Sequence, residues 1–374
     1  MPPVRLGFIG LSADGGHQYS RQWAAISHLP HIKQRSDLLR ITALQNSSKA
    51  SAEKAVAKYQ LGEDVACYGD DPESLARHPN VDMVVVSVKV PEHYRLIKPA
   101  LDAKKDLFVE WPLAANVKEA EELTNLAASQ GVRNVVGLQA RKNPSIRKAR
   151  EMVANGELGE ILGTTMMGSG MVLGATEAPV YEYMHRIEHG ANLMTIPAGH
   201  AMDALCYVLG EMSSLQAKLA TRRPTMDIVD RASGKVLRTV NKTSHDWMSV
   251  TGTLARGGGV ATIVYQGGTS DTGKDFYWEI NGTKGSLVLE GPNGHIQMFH
   301  PTIKFVKAGA KAGQLKEMDV EPAKDFAYNV GKVWDAFMGG EDGEFVTFED
   351  ALLRHRMIEA IYRSNEKGTR ESYL

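Results

Sequence analysis

Leu6-Gly7-Phe8-Ile9-Gly10-Leu11-Ser12-Ala13-Asp14-Gly15 carries the strongest structural signal in this chain of 374 residues. A short apolar run enters a glycine turn, and its G-x-S-x-x-G spacing differs by one residue from the G-x-G-x-x-G turn that joins strand to helix and cradles a pyrophosphate. Gly10 suits the tight turn and Gly15 the close contact of helix with strand. Ser12 stands where the lack of a side chain would let the backbone approach the phosphates, and its hydroxyl can donate to them instead.

Four further apolar runs occur at 39–44, 83–86, 107–109 and 134–137, and the stretches 47–59, 92–103 and 117–128 between them carry Ala, Leu, Lys and Glu at helical spacing. Continuous apolar runs separated by amphipathic helices are the pattern of a buried parallel sheet. Beyond Gly156 the texture changes to strands that alternate in polarity, at 248–254 and 259–265 around Arg256-Gly257-Gly258, then at 276–281 and 286–290 around Gly282-Thr283-Lys284-Gly285. Such strand-turn-strand units imply hairpins in an open antiparallel sheet. Residues 323–337 and 348–365 read as helices, the second capped by Thr347 with Asp350 three residues on.

The expected fold class is therefore α/β, with an N-terminal Rossmann parallel sheet and a C-terminal α/β domain on an open, mostly antiparallel sheet. The expected domains are 1–145, binding dinucleotide, and 146–374, for substrate and oligomerisation, with the last helix free to pack back on the first domain.

Forty-three basic side chains against 44 acidic ones, a net charge of −1, exclude a general affinity for polyanions, so no nucleic-acid partner is expected. No apolar run is long enough to span a bilayer, and the opening Met1-Pro2-Pro3-Val4-Arg5 lacks the pattern of an export signal, so a cytoplasmic protein is expected. The two cysteines, Cys67 and Cys206, belong to no metal-binding cluster and read as buried apolar residues. No metal is expected. The 16 methionines, Met166, Met167 and Met171 among them, read as core filler.

After the second apolar run comes Gln45-Asn46-Ser47-Ser48-Lys49, without the acidic residue that would hold a ribose 2′-hydroxyl. This favours NADP over NAD, with Ser47, Ser48 and Lys49 as contacts. The alternative is that Ser47 only caps the next helix.

Three segments carry a family resemblance: 108–114, Phe-Val-Glu-Trp-Pro-Leu-Ala; 137–144, Gly-Leu-Gln-Ala-Arg-Lys-Asn-Pro; and 282–287, Gly-Thr-Lys-Gly-Ser-Leu. The chain resembles the glucose-fructose oxidoreductase/inositol dehydrogenase/MocA family over its whole length. Within that family, Glu110-Trp111, Gln139-x-Arg141-Lys142 and Gly199-His200-x-x-Asp203 resemble the branch that contains the fungal repressor of galactose genes. The resemblance implies a Rossmann domain and an open sheet that faces the nicotinamide and often joins two copies. In active relatives the motif at 110–112 is Glu-Lys-Pro, and here Trp111 replaces the lysine. The family's aspartate, four residues before its histidine, is Ile196 here, while His200 is retained.

The resemblance puts Glu110 and Trp111 beside the cofactor. It makes His200 the candidate acid or base, since an ordinary imidazole titrates near neutrality. Lys142 and Tyr183 are candidates to supply the missing proton-transfer groups, although Lys142 also reads as a solvated lysine at a helix start. Arg141, His185, His189 and Asp203 are candidates for holding substrate, with Arg141 reading equally as the anchor of an interdomain carboxylate, and a core role for His200 remains the alternative.

Three functions fit these residues. The first is an NAD(P)-dependent oxidoreductase acting on a carbohydrate-like or other hydroxylated or carbonyl small molecule, as a homodimer. The second is a catalytically silent, dinucleotide-binding regulator with a protein partner. The third is a non-redox enzyme on the same fold.

Overall fold

The computed structural model describes residues 2–13, 23–311, 313–323, 325–340 and 343–374. Contacts divide the chain into two compact units: Met1–Gly137 with Asp325–Leu352, and Leu138–Lys324 with Leu353–Leu374. The division falls after Gly137 instead of at 145 because Arg141, in the short turn beyond it, is ion-paired with Asp203 of the second unit.

The first unit is a six-stranded parallel sheet of β1 (Val4–Ile9), β2 (Leu39–Gln45), β3 (Ala66–Tyr68), β4 (Met83–Val86), β5 (Asp106–Glu110) and β6 (Asn134–Gly137), in the order β3-β2-β1-β4-β5-β6. All four residues of β4 are buried, as a parallel strand covered on both faces requires. The helices α1 (Leu29–Gln34), α2 (Lys49–Tyr59), α3 (Pro72–Ala76), α4 (His93–Asp102) and α5 (Val117–Gln130) connect the strands. Ser48 and Asn116 cap α2 and α5, each accepting a backbone N–H one turn on, and Gly131 ends α5 in the left-handed conformation. The strand order reverses between β1 and β4, which opens a crevice at the carboxyl ends of the strands.

The second unit opens with α6 (Pro144–Ala154) and is built on an eight-stranded sheet. Its strands, in chain order, include β7 (Ile161–Ser169), β8 (Thr176–Glu177), α7 (Pro197–Leu209) intervening, β9 (Met212–Ala220), β10 (Thr225–Val229), β11 (Val236–Asn241), β12 (Trp247–Leu254), β13 (Val260–Gln266), β14 (Phe276–Gly282), β15 (Gly285–Gly291), β16 (Thr302–Lys307) and β17 (Lys316–Glu317). The large sheet runs β17-β16-β15-β14-β7-β13-β12-β9, with β7 and β13 its one parallel pair among the described residues, and β11-β10-β8 form a separate small sheet. Strict alternation along β12 and β13 puts Met248, Val250, Ala261, Ile263 and Tyr265 inside. The opposite face presents Trp247, Met167 and Val260 to solvent, so Met167 is not the core filler expected of it while Met166 is.

Helix α7 is buried along twelve of its thirteen residues, which explains why a histidine and an aspartate on it are both shielded from water. Helix α8 (Ala327–Phe337) returns to the first unit, where Val330, Val333, Trp334 and Phe337 enter the core at the i, i+3, i+4, i+7 spacing of one helix face. Helix α9 (Phe348–Lys367) starts in the first unit and continues in the second. Thr347 caps it: Asp350 N–H bonds the threonine hydroxyl while the Asp350 carboxylate accepts from Thr347 N–H at 2.9 Å, a complete reciprocal box. Among the described residues no helix is long and apolar enough to cross a membrane.

Candidate functional site

In the first unit the turn after β1 is shaped for close backbone approach. Gly10 has φ +102, and a Cβ there would run into the carbonyl oxygen of Ser87 at the end of β4. Its N–H donates to Gln45 O at 3.0 Å. The next three carbonyls are all drawn to side chains of the β2–α2 segment: Leu11 O accepts from Asn46 Nδ2 at 2.9 Å, Ser12 O from the Tyr59 hydroxyl at 2.8 Å, and Ala13 O from Lys58 Nζ at 2.8 Å. In a planar trans peptide the following N–H points the opposite way. The N–H groups of Ser12 and Ala13 therefore face away from β2 and α2, the arrangement an anion needs at a strand-to-helix turn.

The buried Gln45 side chain leaves Oε1 without a partner among the described residues. These features fit a dinucleotide at the switch point. Gly15 lies outside the described residues. Ser48, not Ser47, is the helix cap, with its Oγ accepting Ser51 N–H at 3.2 Å. Ser47 and Lys49 are exposed, and Lys49 lies 3.9 Å from Glu53. Glu110, the last residue of β5, is 9% exposed, and its Oε1 accepts from His28 Nε2 at 2.6 Å. Trp111 is buried beside it.

In the second unit the turn 139–142 packs on α7, and the structure separates the candidates. Arg141 and Asp203 bond each other, Nε to Oδ2 at 2.9 Å and a terminal nitrogen to Oδ1 at 2.7 Å. Asp203 is fully buried and also lies 3.6 Å from Arg354 Nε, while Arg354 in turn bonds Glu211. Both carboxylate oxygens of Asp203 are thus engaged within the protein, which corrects its assignment to substrate. Cys206 accepts from Arg354 at 3.1 Å, and burial pushes its thiol up to about 12, so it belongs to a charged network and not to an apolar core. Cys67 is half-buried.

Lys142 is 5% exposed, which overturns its reading as a solvated lysine. His200, on the first turn of α7, is buried with Nδ1 lacking any partner among the described residues. Burial, with a smaller contribution from His295, pushes its value down to about 3, so near neutral pH the imidazole is uncharged and resists taking up a proton. It is no longer the ordinary imidazole, half-charged near neutrality, that its sequence position suggested. His295 accepts from Gln297 Nε2 through Nδ1 at 3.1 Å and donates through Nε2 to Gly170 O. Its tautomer is thereby set, and burial pushes it down to about 4.

Tyr183, His185 and His189 lie in the short helical turns 179–185 and 187–189. His185 Nδ1 bonds Glu182 O, and His189 Nδ1 bonds Tyr183 O at 2.6 Å, so each imidazole is held by its own segment. Burial, then Tyr181, pushes the Tyr183 phenol up, which leaves it a neutral hydrogen-bond donor. Asn46, Lys58, Tyr59, His28 and His295 escaped the sequence reading. Asn46 alone had a signal, because it stands at the end of β2 where an acidic residue would read the ribose.

Among the described residues no group of three or more His, Cys, Asp or Glu is placed to hold a metal ion.

Comparison with known proteins accords with this geometry. A model described as an oxidoreductase family with an NAD-binding Rossmann fold matches residues 6–138, and one for the Gal80p C-terminal domain matches 144–291. The dehydrogenase aclE of Aspergillus oryzae is 32% identical over 370 residues, which cover 99% of this chain and 98% of its own. The galactose/lactose metabolism regulatory protein GAL80 of Saccharomyces cerevisiae is 30% identical, with 98% of this chain and 94% of its own covered. That alignment runs to 418 positions, more than this chain holds, so the regulator carries inserted segments absent here. A crystal structure of a super-repressor mutant of Gal80p from Saccharomyces cerevisiae superposes with a TM-score of 0.89 at 29% identity, covering 99% of this chain and 97% of that one.

Proposed function

Since the chain belongs to the glucose-fructose oxidoreductase/inositol dehydrogenase/MocA family of NAD-binding oxidoreductases, and carries the Gal80p C-terminal domain, we propose that it is a working nicotinamide-dependent oxidoreductase. Its substrate is a carbohydrate-like or other hydroxylated or carbonyl small molecule. The single observation that carries catalysis is His200 Nδ1, a buried polar atom with no partner among the described residues. Leaving such an atom unpaired costs about 1–3 kcal/mol, which a substrate oxygen bonded there would recover.

The dinucleotide supplies the hydride exchange when bound. The glycine turn and the N–H groups of Ser12 and Ala13 hold its phosphates, and Glu110 and Trp111 line its nicotinamide side. His200, neutral at rest, faces the reacting oxygen of the substrate, and it relays the hydroxyl proton on oxidation and returns it on reduction once bound substrate raises its proton affinity from the low resting value. Lys142 and Tyr183 complete the proton-transfer set as charge and neutral donor, and His185 and His189 present their remaining ring nitrogens to substrate. Arg141 takes part in holding substrate only from within its pairing with Asp203. We favour NADP over NAD, because Asn46 replaces the acidic residue of the ribose site and Ser47 and Lys49 stand exposed beside it. Two unpaired cysteines accord with the reducing cytoplasm, where we place the protein. The uncovered sheet face with Met167, Trp247 and Val260 supports a homodimer.

One observation favours a second reading, a dinucleotide-binding regulator with a protein partner: Trp111 stands where catalysis in the family uses a lysine, and tryptophan has no ionisable proton. Titration with NADPH and NADH, followed by cofactor fluorescence and then by a panel of sugars, polyols and carbonyl compounds with reduced-cofactor absorbance monitored, separates the two. Binding followed by turnover is expected. Binding without turnover across the panel would transfer the site to the regulator reading, and absence of binding would remove both.

A further inference from the structure

We propose that the first unit discriminates between the redox states of its dinucleotide, holding the oxidised form more tightly through the negative charge of Glu110. The inference rests on the dinucleotide reading above. Glu110 ends β5, on the β4-β5-β6 side of the switch point, which in a doubly wound sheet receives the nicotinamide half of the cofactor. Its carboxylate is almost buried, and among the described residues its one hydrogen-bond and ion-pair partner is His28.

His28 supplies a proton but no charge. Trp334 Nε1 lies 3.1 Å from His28 Nδ1, and an indole N–H can only donate. Nδ1 must therefore present its lone pair, and the single ring proton resides on Nε2, directed at Glu110 Oε1. Phe8, Phe108 and Trp334 pack around the imidazole at ring-centre distances of 5.8, 4.9 and 6.1 Å, and His28 is fully buried. The chain of indole, neutral imidazole and carboxylate thus orients Glu110 while leaving its charge uncompensated among the described residues. Trp111, the next residue, adds bulk and no charge.

The oxidised nicotinamide ring is a pyridinium cation, whereas the reduced ring is neutral. A carboxylate in a poorly hydrated site therefore stabilises only the oxidised ligand. At an effective dielectric of about 20, a unit charge held within roughly 10 Å of the bound ring would change the ratio of affinities on the order of tenfold. His28, which bonds the carboxylate, and Trp334, which bonds His28, act as positioning residues.

The test measures Kd for NAD(P)H by cofactor fluorescence, for NAD(P)+ by competition, and for ADP-ribose, which lacks the nicotinamide. The wild type is expected to prefer the oxidised form. Glu110→Gln is expected to lower that preference about tenfold with ADP-ribose affinity unchanged. Trp334→Phe removes the donor that holds His28, and through it the carboxylate, in place and is expected to move the ratio the same way, which keeps the proposal testable if Glu110→Gln fails to fold. A wild type that binds the reduced form as tightly, or a ratio unmoved in the folded variants while ADP-ribose still binds, overturns this proposal alone. Failure of the wild type to bind any of the ligands overturns it together with the dinucleotide reading.

Discussion

Gly10 and His200 show how much a single position can decide. At Gly10 the backbone adopts φ +102 and the space for a Cβ is taken by Ser87 O, so alanine there is both strained and obstructed. A strained non-glycine residue costs about 1–3 kcal/mol where the surroundings hold it in place. Gly10→Ala is expected to lower cofactor affinity more than about tenfold, read by fluorescence titration, with a modest loss of melting temperature. Unchanged affinity would mean that the turn serves only to carry the chain out of β1. Gly10 was readable from its place after an apolar run. The environment of His200 was not, since its lowered value comes from complete burial on α7 and from His295, 95 positions away, with no local pattern to mark either. For Arg141 the sequence offered a carboxylate to anchor, of a substrate or of the protein itself, and only the fold names Asp203 as that carboxylate.

Helices and strands announced themselves to the extent that their partners were local or their periodicity was strong. The five apolar runs of the first third, the hairpin of β12 and β13, and that of β14 and β15 were all readable, because continuous or alternating apolar residues bounded by glycine turns admit few alternatives. The three-residue β3 carried too little pattern, and β11 is exposed over nearly its whole length, so neither shows the apolar signal of a buried strand. Helix α8 had the right spacing but no sequence mark of the unit to which Trp334 and its neighbours would return. The start of α9 was better marked than expected, since Asp350 closes the capping box usually completed by a longer acid. Thr347→Ala is expected to cost about 1 kcal/mol of stability, measured by denaturant unfolding, with cofactor affinity unaffected. A cost near zero would show that the box is replaced by water.

For the molecule as a whole, the buried histidines make stability depend on pH. His200 and His295 are pushed down to about 3 and about 4 from an ordinary 6.5, and His93 in the first unit is lowered by burial in the same direction. Below 6.5 the unfolded chain takes up protons that the folded chain refuses, so stability is present above 6.5 and is lost as pH falls toward 4. Each such histidine contributes a slope of up to about 1.4 kcal/mol per pH unit. Denaturant midpoints should fall steeply between pH values of roughly 7 and 5, and more gently in His295→Gln. A flat profile, or an identical slope in the variant, would show that these imidazoles reach solvent.

Catalysis through His200, whose Nδ1 has no partner among the described residues, is what most sets this reading apart from that of a silent regulator. The direct measurement is oxidation of the reduced cofactor by a panel of carbonyl compounds, comparing wild type with His200→Ala at matched cofactor occupancy. Turnover by the wild type that falls about a hundredfold or more in His200→Ala, with cofactor Kd unchanged, is the expected result. Cofactor that binds both proteins and is consumed by neither, or is consumed equally by both, would contradict it.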